Sequence, residues 1–326
     1  MSIGILAMGA YVPDDVVDND LIGAWADTTS EWIVDRTGVY ERRYACDRTP
    51  TSVLAHRAVL DMLSEYPDAL RDVAAIVLAT STPDQPQPST ALILQDLLGL
   101  SAVPAFDINA VCSGFVYAVV LGAALAKEVP TRRVLVVGAD KYSSIMDGRD
   151  RGTVSLFGDG AGAVVLGPVP DGYGVRASKL RADGQHRELV EVIAGGTRRP
   201  LDAHAREAGH HLFRMRGPAV RDYVLETLPA LIKETLVEAG LDLNDIDRFI
   251  LHQANPRLLE HLTRELGVDP GRVPLTAPLY GNTASASIPI TLRKSQASRP
   301  LARGENLLIG AVGGSMTAGV AVITHY

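Results

Sequence analysis

The sequence predicts an α/β protein with buried sheets. Strand-like apolar runs alternate with helical patterns, 47% of the 326 residues are hydrophobic with only 5% aromatic, and short stretches of the first half recur in order in the second. Such alternation builds layered α/β folds, and the apolar share suffices for one large core or two ordinary ones.

Residues 3–8 open the chain as a strand pattern with no basic or cleavable leader, so a cytoplasmic protein is expected. Further strand-like runs fall at 73–79, 134–138, 163–166, 249–251, 307–309 and 319–323, and helical patterns at 51–63, 90–98, 220–238 and 257–266. The longest apolar run, 115–126, stops at Lys127, short of the ~20 residues a membrane helix needs. It reads as a core helix, and no membrane partner is expected.

The internal repeat has three parts. Asp72-Val73-Ala74-Ala75-Ile76-Val77-Leu78 resembles Asp245-Ile246-Asp247-Arg248-Phe249-Ile250-Leu251, Cys112-Ser113-Gly114 pairs with Gly281-Asn282-Thr283, and 158–165 resembles 314–321. Turn formers cluster between Pro168 and Tyr173, where the halves should divide. A duplication would bring strand ends of both halves together, and with them Cys112, His252 and Asn282.

Composition excludes some functions. Acidic side chains outnumber basic ones 38 to 31, giving a net charge of -7 with the basic residues dispersed, so nucleic acid is not an expected partner. The two cysteines, Cys46 and Cys112, make neither a disulfide framework nor a zinc spacing, and no metal is expected.

Cys112 lies between an extended apolar run and an apolar helix. A free cysteine is often a small core hydrophobe, but a helix N-terminus offers unpaired N–H groups and a positive dipole end that favour thiolate. His252 ends a strand just before a helix that Pro256 can open, and Asn282 sits in a small-residue run. Together they supply a nucleophile, a proton handler and an amide donor. The run 158–162 lacks dinucleotide spacing and reads as close packing, whereas Gly313-Gly314 could offer an N–H to an oxyanion.

Several motifs then occur in order: Trp32 with Arg36-Thr37-Gly38 and Arg42-Arg43, Cys112-Ser113-Gly114-Phe115, Asp150-Arg151-Gly152-Thr153 running to Phe157-Gly158-Asp159-Gly160-Ala161-Gly162-Ala163, His252-Gln253-Ala254-Asn255, and Gly281-Asn282-Thr283. Along essentially its whole length the chain resembles the β-ketoacyl-acyl-carrier-protein synthase III family of the thiolase superfamily. The resemblance implies a thiolase-like αβαβα five-layered fold of two pseudo-duplicated halves, forming a homodimer. Residues 1–170 would carry the nucleophile and 171–326 the His and Asn.

It also implies an acyltransferase with no permanently bound cofactor. Cys112 would be acylated by acyl-CoA or another acyl thioester, with the N–H groups of Cys112 and Gly314 as oxyanion hole, and His252 and Asn282 would stabilise the enolate left by malonyl decarboxylation. Trp32 and Arg151 would sandwich the adenine of coenzyme A, with Arg36, Arg257 and Asn255 near its phosphates or the tunnel mouth.

The sequence departs from the family pattern at the tunnel mouth. The stretches Val220-Arg221-Asp222-Tyr223 and 257–265 mix acids among the bases, which weakens the electrostatic case for acyl carrier protein as partner. Asp84-Gln85-Pro86-Gln87-Pro88, Leu279-Tyr280 and Ser315-Met316 look unlike a housekeeping fatty-acid enzyme and are expected near the acyl pocket, pointing to secondary metabolism. The alternative to condensation is transfer of the acyl group from Cys112 to a hydroxyl or amine, with His252 as general base.

Overall fold

The computed structural model describes residues 2–128 and 133–326. Its first sheet holds β1 (Ser2–Tyr11), β2 (Val73–Ala79), β3 (Ala105–Ile108), β4 (Arg133–Asp140) and β5 (Gly160–Val169), in the order β1-β5-β4-β2-β3. The second holds β6 (Gly174–Ala182), β7 (Arg248–Leu251), β8 (Asn306–Gly313) and β9 (Thr317–Thr324), in the order β7-β8-β9-β6. In the first sheet β2 pairs parallel with β4, β4 antiparallel with β5, and β5 antiparallel with β1. The second repeats those senses: β7 parallel with β8, β8 antiparallel with β9, and β9 antiparallel with β6.

Six helices make the remaining layers: α1 (Thr51–Glu65), α2 (Thr90–Leu97), α3 (Gly114–Glu128), α4 (Gly217–Ala239), α5 (Pro256–Leu266) and α6 (Ser287–Ser298). α3 and α6 lie between the two sheets, α1 and α2 cover the outer face of the first, and α4 and α5 that of the second. The expected five layers result. Each strand therefore sends alternate side chains into two cores: Val134 and Val136 face the central helices, while Leu135 and Val137 face α1 and α2. With both faces covered, strands must be apolar throughout, which is why they read as continuous runs.

Among the elements that escaped the sequence reading, two did so for plain physical reasons. β6 is an edge strand with Arg176, Arg181 and other polar residues toward solvent, so it lacks an apolar run. In α6, Pro289 and the β-branched Ile288, Ile290 and Thr291 speak against helix, but Pro289 falls in the first turn, where its missing N–H is not needed.

The repeat also has a different register from the one expected. Val111–Ser113 forms a 3-10 turn leading into α3, and Ala284–Ala286 forms its counterpart leading into α6. Val111 and Ala284 open these turns with φ of 49° and 48°. Cys112 thus corresponds to Ser285, and Asn282 lies just ahead of the second turn.

Candidate active site

The turn that presents Cys112 is held from both halves. Ser113 Oγ donates to the Ala110 carbonyl at 2.8 Å and lies 2.8 Å from Thr317 Oγ1, which itself donates to Ala110 at 3.1 Å. A Cβ on Gly313 would come within 2.5 Å of that same carbonyl, so only glycine lets β8 approach. A β-branched residue in the left-handed region, Val111, is costly, and such strain persists where surrounding contacts over-determine it.

Burial pushes the Cys112 thiol up to about 12, and the charge of Asp140 adds to the rise. The backbone N–H groups of Gly314 and of Cys112 itself are aimed at the sulfur and pull the other way. The resting group is therefore a thiol, not the thiolate that the helix N-terminus alone suggested; removal from water outweighs the dipole. The same two N–H groups form a ready oxyanion site.

His252 follows β7, its N–H donating to the Gly310 carbonyl at 2.8 Å. Its ring is buried, Nδ1 has no partner among the described residues, and burial depresses the imidazole to about 3. Gln253 Oε1 accepts from Thr276 N at 3.0 Å and its Nε2 donates to Leu251 and Pro274 carbonyls, fixing the approach to the Asn282 loop. Asn255 caps α5, accepting from Arg257 N and Leu258 N.

Asn282 exchanges backbone hydrogen bonds with Leu156 and Gly158. Its Oδ1 accepts from Ala284 N at 2.9 Å, which assigns the amide orientation and leaves Nδ2 without a partner among the described residues. Cys112, His252, Asn282, Asn255 and Gly314 line one cavity, so strand ends of both halves do meet there. Its remaining wall is apolar.

Much of that wall was not singled out from the sequence. Tyr142 stacks on Phe157 at 4.5 Å, Phe213 meets Phe157 edge-on at 5.0 Å, and Met215, Leu258 and Leu262 complete the lining. The Leu258, Leu259 and Leu262 spacing on α5 carried a signal, whereas Phe213 lies in a polar loop and carried none. Leu279-Tyr280 and Ser315-Met316 adjoin the cavity-lining Asn282 and Gly314 along the chain without lining the cavity themselves. Leu279 is 51% exposed, and Met316 is fully buried with its backbone at φ 55°. Asp84 caps Ser52 N, and 85–88 lie at the surface.

Outside the cavity, Arg151 sits 4.9 Å over the Trp32 ring. Trp32 and Arg36 belong to the helix Ser30–Thr37, which ends at Gly38; a Cβ there would lie 2.8 Å from Pro256, so this helix abuts the start of α5 beside Arg257. On the mouth helices Arg221 pairs with Asp222 at 2.9 Å and Arg257 with Glu260 at 3.3 Å.

Family models described as 3-oxoacyl-[acyl-carrier-protein] synthase III and its C-terminal part match residues 106–184 and 236–325. The chain is 44% identical over 326 residues to the acetoacetyl CoA synthase NphT7 of a Streptomyces species, covering 98% of this chain and 97% of that one. A β-ketoacyl-[acyl-carrier-protein] synthase III of Thermus thermophilus superposes with a TM-score of 0.92 at 38% identity, covering 99% of each chain. The priming β-ketosynthase of a polyketide biosynthetic pathway superposes with a TM-score of 0.91 at 28% identity, covering 99% of this chain and 96% of that one.

Proposed function

The chain belongs to the 3-oxoacyl-[acyl-carrier-protein] synthase III family, and from that membership we propose that Cys112, His252 and Asn282 perform its condensation here. The protein is an acyltransferase with the thiolase-like fold, its acyl group passing through a cysteine thioester to a malonyl thioester with loss of carbon dioxide. The division 1–170 and 171–326 puts the nucleophile on one half and the two donors on the other.

Acylation forms a bond from Cys112 Sγ to the donor carbonyl and breaks the donor's C–S bond. The thiol proton leaves with the departing coenzyme A sulfur, and the oxyanion between is held by the N–H groups of Cys112 and Gly314. In the second half-reaction the malonyl carboxylate departs as carbon dioxide, its electron pair passing to the thioester carbonyl. His252 and Asn282 Nδ2 donate to that enolate oxygen. The enolate carbon then attacks the acyl carbonyl, the Cys112 C–S bond breaks, and a proton from the medium restores the thiol.

The observation that carries this reading is the state of His252. An imidazole depressed to about 3 is a poor proton acceptor at neutral pH, and among the described residues no carboxylate backs it, so it serves as donor rather than base. That favours condensation over transfer to a hydroxyl or amine. Trp32, Arg151, Arg36, Arg257 and Asn255 are assigned to coenzyme A; the paired mouth arginines favour coenzyme A thioesters over an acidic carrier protein. The aromatic wall beside Cys112 suits a short acyl chain. A cytoplasmic homodimer joined at the unpaired edge of β3 and a place in secondary metabolism complete the proposal.

Carboxyl-labelled malonyl-CoA tests it. Labelled carbon dioxide should appear with an acyl-CoA donor and stop in Cys112→Ala at the condensation step; an ester or amide product without carbon dioxide would overturn it.

A further inference from the structure

Asp140 closes β4 and is fully buried, yet the reaction described above gives it no part. Its Oδ1 accepts from Thr80 Oγ1 at 3.2 Å, Ser81 N at 2.8 Å, Ser81 Oγ at 3.1 Å, Thr82 N at 3.1 Å and Thr82 Oγ1 at 3.0 Å. Its Oδ2 accepts from Ser285 N at 2.9 Å and Ser285 Oγ at 2.6 Å. Three of these donors are backbone N–H groups, which cannot reverse their role, so the setting is built for an acceptor-only carboxylate. Burial raises the carboxyl above its ordinary range, while the Ser285, Ser81 and Thr82 donors oppose the rise.

We propose that Asp140 is the positioning residue that registers the Asn282 turn against Cys112 across the two halves of the molecule. The connection is short. Asp140 holds Ser285 through its N–H and its hydroxyl, whose one proton is shared with the Ala79 carbonyl at 2.9 Å, and Ser285 follows Ala284, whose N–H orients the Asn282 amide at 2.9 Å. The turn presses so closely on β4 that a Cβ on Gly138 would lie 2.4 Å from the Ser285 carbonyl. On the other side Ser81 Oγ lies 3.0 Å from Tyr142 OH, whose ring lines the cavity. One carboxylate thereby spans the loop after β2, the cavity wall and the turn behind Asn282. Its charge also adds to the rise of the Cys112 thiol that burial causes.

This inference rests on the condensation reading, and the two half-reactions separate it from general loss of structure. Asp140→Asn keeps one acceptor oxygen and turns an NH2 group toward donors; Ser285→Ala is the milder change, removing the hydroxyl that meets Asp140 and Ala79 and leaving the backbone donor. In both, kcat for carbon dioxide release should fall about tenfold or more, while Cys112 acylation and the KM for acyl-CoA stay within about threefold of the unsubstituted enzyme. Equal loss of acylation and condensation, or unchanged kcat beside an active unsubstituted enzyme, would overturn the proposal. An unsubstituted enzyme that releases no carbon dioxide would overturn the condensation reading as well.

Discussion

At Asn282, a single hydrogen bond decides what the side chain offers a substrate. Because Oδ1 is taken by Ala284 N, only the N–H side of the amide is free, and it can stabilise an enolate but not accept a proton. Asn282→Ala should therefore slow condensation about 100- to 1000-fold while acylation by acyl-CoA changes little, as quenched single-turnover experiments would show; equal slowing of both would argue against the donor role. His252 allows a second check. Its pKa falls from 6.5 in the unfolded chain to about 3 in the folded one, so the unfolded state binds more protons across that window. The stability it permits is complete above about pH 6.5 and is lost as pH falls toward 3, at up to about 1.4 kcal/mol per pH unit. The stability difference between the unsubstituted protein and His252→Asn should shift against the former between about pH 7 and about pH 5 in thermal melts. A difference that stays flat with pH would mean that the ring takes up its proton as readily in the folded state as in the unfolded one.

Among the elements, the two 3-10 turns matter most, because each delivers one part of the site to the head of a central helix. The second turn depends on contact with β4, and Gly138→Ala would force a methyl onto the Ser285 carbonyl. Overpacking of this kind should cost about 1–3 kcal/mol, read as a lowered denaturant midpoint, with condensation affected more than acylation; a neutral effect on both would show that the turn can shift freely. Cys112 and His252 were legible as candidates here because they stand at ends of elements whose apolar runs are plain, whereas Asn282 was singled out through its company in the motif order. The register of the repeat was not legible: Cys112 matches Ser285 only through the φ angles of Val111 and Ala284, which leave no mark in side-chain pattern. Asp140 was hidden likewise, since one acid at the end of an apolar strand shows nothing of the donors that gather on it. The thiol state of Cys112 was misjudged because depth of burial comes from all the layers together.

For the whole molecule, the repeated strand order explains why the site exists at all. Both halves direct a strand end and a helix start toward the middle, so the sulfur of one meets the imidazole and amide of the other in one apolar cavity. The layer order could be anticipated from the family resemblance, but the wall built by Tyr142, Phe157 and Phe213 draws on segments separated along the chain and emerged only with the fold. Every functional assignment depends on a transient thioester at Cys112 that is consumed by a malonyl unit. Mass analysis of the peptide containing Cys112, after acyl-CoA alone and then after a chase with malonyl-CoA, tests this most directly. The acyl group should be found on Cys112 in the first sample and be gone in the second, with one carbon dioxide released for each acyl group lost. An unmodified Cys112 in the first sample, or an acyl group that malonyl-CoA cannot discharge, would contradict it.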